Sequence, residues 1–281
     1  MRCSIILLSM ATGCHLVAGL DDPSPVETSA ASSSTNSTST GGTSGTGGSG
    51  GADCSGSVEY REIVLADMPV GYWRLGDQGA VAKDEIRTHG GAYQGQYTLN
   101  RPGALVCDRD TAVRFPGANT LILMDANVHD EAPLSLEAWM APTGVDLEKR
   151  YVISKAFSDT GGATGYALYV HNFSILTFVA ALNGADVHAS TTRFDIDTWN
   201  HVVATLEGST ACLYVNGELV EPCTRGSVTL TSTNEPFKIG AYTDEGADGF
   251  IGTIDEVAIY DVALSAAQIR EHYAAGLQIE P

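Results

Sequence analysis

The sequence predicts an all-β fold, a two-sheet antiparallel β-sandwich with a short C-terminal helix. Three observations predict it. From Ser57 onward, short runs rich in Val, Ile, Leu, Tyr and Phe recur at regular spacing with turn residues between them. The stretch from Trp199 to Val220 holds three such runs separated by Glu207-Gly-Ser-Thr210 and Asn216-Gly217. One helical pattern, near the C-terminus, closes the chain.

The runs can be taken in chain order. Residues 60–66 form a helical turn or loop, and Gly71 to Leu75 a strand. A polar loop from Gly76 to His89 precedes a short strand from Gly90 to Tyr97. Strands at 112–115 and 120–124 flank a Pro116-Gly117 turn. Strands at 134–140, 151–155, 166–170, 175–182 and 186–192 continue the meander. Asn-Gly is a strong hairpin signal because a type I′ turn needs positive φ at both central residues. The turn at Asn216-Gly217 therefore sets Val215 opposite Glu218, Tyr214 opposite Leu219 and Leu213 opposite Val220. In the run before it, Asn200, Val202, Ala204 and Leu206 share one face, and His201, Val203 and Thr205 the other. Both faces are largely apolar, as in a strand covered on both sides. Strands at 237–240 and 252–260 follow. The helix opens on Ser265-Ala-Ala-Gln268, a capping box, with Leu264 and Ile269 as its hydrophobic staple and Gly276 placed to end it.

The 281 residues carry a formal net charge of −19. Four acids and one base precede residue 56, so the remainder holds 30 acids against 14 bases, a balance of −16. Such a surface repels phosphate backbones, and no nucleic-acid partner is expected. It suits solubility first and divalent cations second.

Residues 1–13 place one arginine before a short apolar run, in the manner of a secretory signal peptide. Residues 14–56 form a tether, in which 20 of the 23 positions from 29 to 51 are Ser, Thr or Gly. Nothing in this composition offsets the entropy of ordering. About 40 such residues reach roughly 35 Å as a coil. Residues 57–281 form the sandwich domain. The tether matches both G-x-S-x-G and G-x-G-x-x-G, but neither lies between a strand and a helix, so both are by-products of composition.

Cys3 and Cys14 lie in the leader; Cys54, Cys107, Cys212 and Cys223 remain. Two disulfides suit an exported protein, and four buried thiols would suit a reducing compartment. Cys212 and Cys223 flank the Asn-Gly hairpin, and Cys54 is left to pair with Cys107.

Six pieces in order carry a resemblance: Pro69 to Leu75 (PVGYWRL), Ala112 to Gly117 (AVRFPG), Leu134 to Trp139 (LSLEAW), Val152 to Lys155 (VISK), the WNHVVAT…LYVNG stretch from Trp199, and Gly252 to Tyr260 (GTIDEVAIY) with Ala263-Leu-Ser265. Together they resemble the LamG-like jelly rolls of the concanavalin A-like lectins and glucanases. Ala11-Thr-Gly-Cys14 resembles a bacterial lipobox, which implies lipidation of Cys14 and an outer-membrane or cell-surface location, or otherwise secretion. The family resemblance implies a structural Ca²⁺ held by Asp84 and Asp255 with backbone carbonyls. Alternation with Val257 and Ile259 would aim Asp255 inward, where a carboxylate needs a partner.

No run of alternating acids marks a glucanase cleft, because Asp255 and Glu256 are adjacent and alternation sends them to opposite faces. Asp159, Asp244, Glu245 and Asp248 fall on loops, as a solvated rim or a ligand site. No histidine spacing supports zinc. His201 and the tryptophans 73, 139 and 199 read as packed strand residues; Tyr242 and Phe250 are the better sugar-stacking candidates. The leading expectation is a non-catalytic, membrane-tethered lectin-like module for glycan or cell-surface protein. A glycan-active hydrolase or lyase, or a structural cell-envelope protein, is the alternative.

Overall fold

The structure, a computed structural model, describes Cys54 and residues 59–281 apart from 145, 161 and 173. The expected signal peptide, Cys14 as the expected lipidation site and, Cys54 apart, the expected tether lie outside the described residues. The chain opens with helix α1 (Tyr60–Ala66). Then come β1 (Gly71–Trp73), β2 (Val81–Ala82), β3 (Gly91–Gln94), β4 (Thr98–Pro102), β5 (Thr111–Pro116), β6 (Leu121–Leu123), β7 (Leu134–Pro142) and β8 (Arg150–Asp159). They are followed by β9 (Gly162–His171), β10 (Ile175–Leu182), β11 (Ala185–Thr191), β12 (Asn200–Glu207) and β13 (Thr210–Val215). The last elements are β14 (Glu218–Leu219), β15 (Thr224–Arg225), β16 (Lys238–Ile239), β17 (Ile251–Tyr260) and α2 (Ala266–Leu277).

These strands form two antiparallel sheets. One runs β14-β13-β12-β7-β17-β5-β4, with β1 on β17 and β15 on β13; the other runs β11-β10-β9-β8-β16-β6-β3-β2. The main core fills the space between them, with Trp73 stacked on Phe237 at 5.2 Å among Phe115, Met140, Leu168, Phe178 and Val202. The expected hairpin is present, with Tyr214 opposite Leu219 and Val215 opposite Glu218. The two faces of β12 divide as its alternation dictates: Val202, Ala204 and Leu206 join the main core, and Val203 a second cluster.

That second cluster explains why β12 is apolar on both faces. Helices α1 and α2 cover the outer face of the nine-stranded sheet, packing Tyr60, Val64, Leu264 and Ile269 against Tyr72, Trp139 and Tyr260. Ser265 caps α2 in a full capping box with Gln268, and both staple residues are buried. Removing the hydroxyl orphans the Gln268 amide, so Ser265→Ala is expected to cost about 1 kcal/mol in chemical denaturation. Gly276 does not end the helix; Gln278 caps it at φ 57°. The glycine lies inside the last turn, where a Cβ would sit 2.4 Å from Trp139 Cζ2. It is there for close approach of helix to sheet.

Two disulfides hold the loops. Cys54 is bonded to Cys107 between β4 and β5, and Cys212 in β13 to Cys223 just before β15, with Cα separations of 5.5 and 4.4 Å. Among the described residues no helix is long and apolar enough to cross a membrane.

Candidate functional site

The eight-stranded sheet has an outer face that neither helix covers. Its composition follows from strand alternation. In β9, Tyr166, Leu168 and Val170 point into the core, so Ala163, Gly165, Ala167 and Tyr169 point out. The partners across the sheet repeat the pattern. Ser158, Ala156, Ser154 and Tyr151 of β8 oppose those four residues in turn, and Ala181, Val179 and Thr177 of β10 oppose the last three. A bulge in β8 between Tyr151 and Ile153 turns Val152 and Ile153 both inward and leaves Tyr151 outside.

Small residues thus make a floor and aromatic rings make a wall. Tyr151 lies 5.0 Å from Tyr169 and 4.7 Å from Tyr242, which the loop after β16 folds over the sheet. Tyr242 is fixed by its amide on Ala247 O at 3.0 Å. Lys149 Nζ sits 5.0 Å from the centre of the Tyr169 ring, a cation–π contact. The groove encloses about 580 Å³ and is also lined by Asp186 and Asp248. That volume is in the range of ligand-binding clefts. Gly165 is needed in the floor: its φ is +107°, and a Cβ would meet Lys155 O at 2.1 Å. Burial raises the Tyr169 hydroxyl pKa, with Asp186 adding to it, and raises Tyr242 with help from Glu235 and Asp248.

Of the stacking candidates read from sequence, Tyr242 is in this wall, whereas Phe250 is core. Trp73 and Trp139 are buried, and Trp199 packs on the second cluster. Asp248 lines the groove, and Asp244 and Glu245 line an adjoining depression. Asp159 ends strand β8.

Asp84 and Asp255 occupy separate settings. The Asp84 carboxylate accepts from the amides of Tyr72 (2.9 Å), Ile86 (3.0 Å), Thr88 (2.9 Å) and His89 (2.9 Å), and from the Thr88 hydroxyl (2.9 Å). Burial disfavours its charge, but these donors prevail and hold its pKa below the usual carboxylate range. It ties the loop after β2 to β1. Asp84→Ala leaves four amides without their acceptor and is expected to cost about 2–3 kcal/mol in urea unfolding.

Asp255 does not point into the sandwich, because β17 carries a bulge. Between Asp255 opposite Trp139 and Ala258 opposite Glu137 there is one extra residue, and Glu256 takes φ 49°. The bulge inverts the alternation, so Ile254 and Val257 both face the core. Asp255 turns instead to the helix-covered side, where Oδ2 accepts from Ala104 N at 2.9 Å. Glu256 turns the same way, against the expectation of opposite faces, and binds the Tyr72 hydroxyl and Arg74 (2.9 Å). Arg74 also pairs with Asp108 at 2.7 Å and Asp110 at 3.2 Å. Burial raises the Asp255 pKa well above its ordinary value and, despite Arg74, lifts Glu256 to about 7. The Asp84 carboxylate is taken up by its five donors, whereas Asp255 Oδ1 is buried without a hydrogen-bond partner among the described residues; a calcium ion would need six to eight oxygens. Among the described residues no group of three or more His, Cys, Asp or Glu side chains is arranged to hold a metal.

One polar assembly has no counterpart in the sequence reading. Glu137 of β7 is fully buried and accepts from Tyr60 (2.7 Å), Tyr260 (2.6 Å), His201 (2.7 Å) and His272 (3.0 Å). His272 Nε2 reaches Asp67 at 3.0 Å. Burial opposes charge on His272, but Glu137 and Asp67 outweigh it and lift its pKa to about 9. Burial likewise opposes charge on Glu137, and the two histidines hold its pKa well below the ordinary carboxylate value. The assembly joins α1, α2, β7, β12 and β17, and apart from Asp67 at its edge its groups are closed off from solvent, so it is a scaffold device.

A sequence model of the concanavalin A-like lectin/glucanases superfamily matches residues 115–270, more than half of the chain. No curated protein matches the sequence. Among solved structures, a mutant of Trypanosoma rangeli sialidase with trans-sialidase activity superposes with a TM-score of 0.55 at 16% identity, over 77% of this chain and 34% of the sialidase. The receptor-binding domain of botulinum neurotoxin D superposes with a TM-score of 0.57 at 13% identity, over 74% of this chain and 53% of the toxin chain. This chain therefore spans about a third of the one and half of the other, and at these identities the likeness is one of fold.

Proposed function

Since this chain belongs to the concanavalin A-like lectin/glucanases superfamily, we propose that it is a non-catalytic glycan-binding module, exported and held to a membrane by lipid on Cys14. The observation that carries the binding role is the open groove on the eight-stranded sheet, with its tyrosine wall and small-residue floor. Pyranose rings present apolar C–H faces and a hydroxyl edge. They are matched by aromatic faces beside small side chains, with hydroxyls and carboxylates at the rim. A sialidase and a toxin's receptor-binding domain among the structures of like fold make carbohydrate a reasonable ligand. The long Ser/Thr/Gly-rich segment would let the domain stand away from the membrane that anchors it.

The non-catalytic reading rests on where the acids with raised pKa lie: Asp77, Asp255 and Glu256 are all outside the groove. Asp255 and Glu256 are buried, and Glu256 is engaged by Tyr72 and Arg74. Neither lines the groove. A glycan microarray probed with the domain tests the proposal. Binding that is lost in Tyr169→Ala supports it. Signals at background throughout the array contradict it, and would favour a protein ligand. Polysaccharide turnover abolished by Glu256→Gln would instead assign an enzyme.

A further inference from the structure

The groove continues past its aromatic wall. A second depression of about 260 Å³ shares Ala156, Ser158 and Tyr242 with the first, so Tyr242 stands at the junction of two connected spaces. Two spaces on either side of one ring suit a chain of sugars lying along the sheet, with Tyr242 beneath its middle.

The rim of this double groove carries mostly one sign of charge. Asp186 and Asp248 line the first space, and Glu235, Asp244 and Glu245 the second. Asp186 and Asp244 are more than 45% exposed at the side chain, so they face whatever enters. Among the described residues, no hydrogen bond or ion pair engages the Asp248 carboxylate. Two ammonium groups oppose these acids. Lys238 is buried, its Nζ held by Pro236 O at 3.0 Å and Asp244 at 3.3 Å, so its charge is already matched. Lys149 lies over Tyr169. With the Lys238–Asp244 pair set aside, four carboxylates against one open cation, in a concave site, give a negative potential that the acidic surface around it does not relieve.

We propose that this groove selects linear glycan chains without acidic groups, aminosugar chains above neutral ones, and rejects sialic- or uronic-acid chains. The inference rests on the glycan-binding reading given above. Rejection comes from placing a sugar carboxylate beside rim carboxylates that outnumber the one open cation, Lys149. Preference for amines comes from the same carboxylates acting as acceptors.

Calorimetric titration of the domain with four hexasaccharides tests this: glucosamine, N-acetylglucosamine, galacturonate and α2,8-linked sialic acid. The glucosamine chain should bind tightest, the N-acetylated chain next, and the two acidic chains at least about tenfold more weakly than the neutral one, with the spread narrowing in high salt. The double variant Asp186→Asn/Asp248→Asn should compress the spread. A control pair on the C-terminal helix and tail, Glu271→Gln/Glu280→Gln, removes the same charge elsewhere and should leave it unchanged. Acidic chains that bind as tightly as neutral ones, or a spread that the control pair compresses equally, would overturn the inference while glycan binding stands. Failure of all four chains to bind would overturn the glycan reading itself.

Discussion

Glu137→Ala is expected to lower the unfolding free energy by about 3–5 kcal/mol, the range for removing one partner of a buried ion pair. In a domain of this size that is a fall in melting temperature of roughly 10 °C. The carboxylate accepts from two tyrosine hydroxyls and two imidazoles drawn from four different elements. Its loss leaves all four donors buried without their acceptor, and leaves the His272 cation with Asp67. Glu137→Gln keeps the shape and removes the charge. It should cost less, and it should bring the His272 pKa well below its native value of about 9, which ring-proton NMR reads directly. An unchanged His272 titration in Glu137→Gln would show that the two groups do not interact.

The same assembly fixes a pH profile. His272 titrates higher in the folded chain than its ordinary 6.5. Its contribution is therefore complete below about pH 6.5 and is lost as pH rises through about 9. Glu137 titrates below its ordinary 4.5. Its contribution is complete above about pH 4.5 and is lost as pH falls further. The groups facing His272 are Glu137, Asp67, Tyr60 and Tyr260, and both carboxylates act in the stated sense. Glu256 and Asp255 titrate high in the folded chain, so ionising them as pH rises also removes stability. Denaturation midpoints across pH 4–10 should be highest near about pH 4.5 and decline on the alkaline side, first as Glu256 and Asp255 are forced to ionise and then as His272 loses its proton. A profile that climbs from pH 7 to 9 would contradict this arrangement.

The double variant Tyr169→Ala/Tyr242→Ala is expected to weaken glycan binding by at least about 30-fold, the cost of about 2 kcal/mol typical of truncating a central aromatic anchor. Tyr242 caps the wall from a loop, and Tyr169 supports the contact with Tyr151 at 5.0 Å. Both stand outside the main core. The variant should therefore keep a cooperative unfolding transition while losing ligand. Equal affinity in the wild type and the variant would place the ligand elsewhere.

The strands were legible where a local rule decides them. Asn216-Gly217 dictates its own register, Ser265 and Gln268 close their own cap, and the alternation along β12 survives folding intact. The errors come from non-local causes. Helices α1 and α2 cover the outer face of the nine-stranded sheet and bury Glu137, a residue the sequence reading did not single out. An extra residue at Glu256 inverts the alternation of β17, and no side chain announces it. Gly276 answers to Trp139, which precedes it by more than a hundred residues. The groove left a faint sequence trace. Alternate positions of β9 run Ala163, Gly165, Ala167, Tyr169, three small residues and then a ring. This pattern gains meaning once β8 and β10 lay Ala156, Val179 and Ala181 beside it.

The most direct test of the groove is chemical-shift mapping of the isotopically labelled domain titrated with the tightest-binding oligosaccharide from the panel above. The account predicts shifts concentrated at Tyr151, Ala167, Tyr169, Val179 and Tyr242 on the outer face of the eight-stranded sheet. Shifts centred instead on Arg74 and Asp108, or on the helix-covered sheet around Trp139, would contradict it.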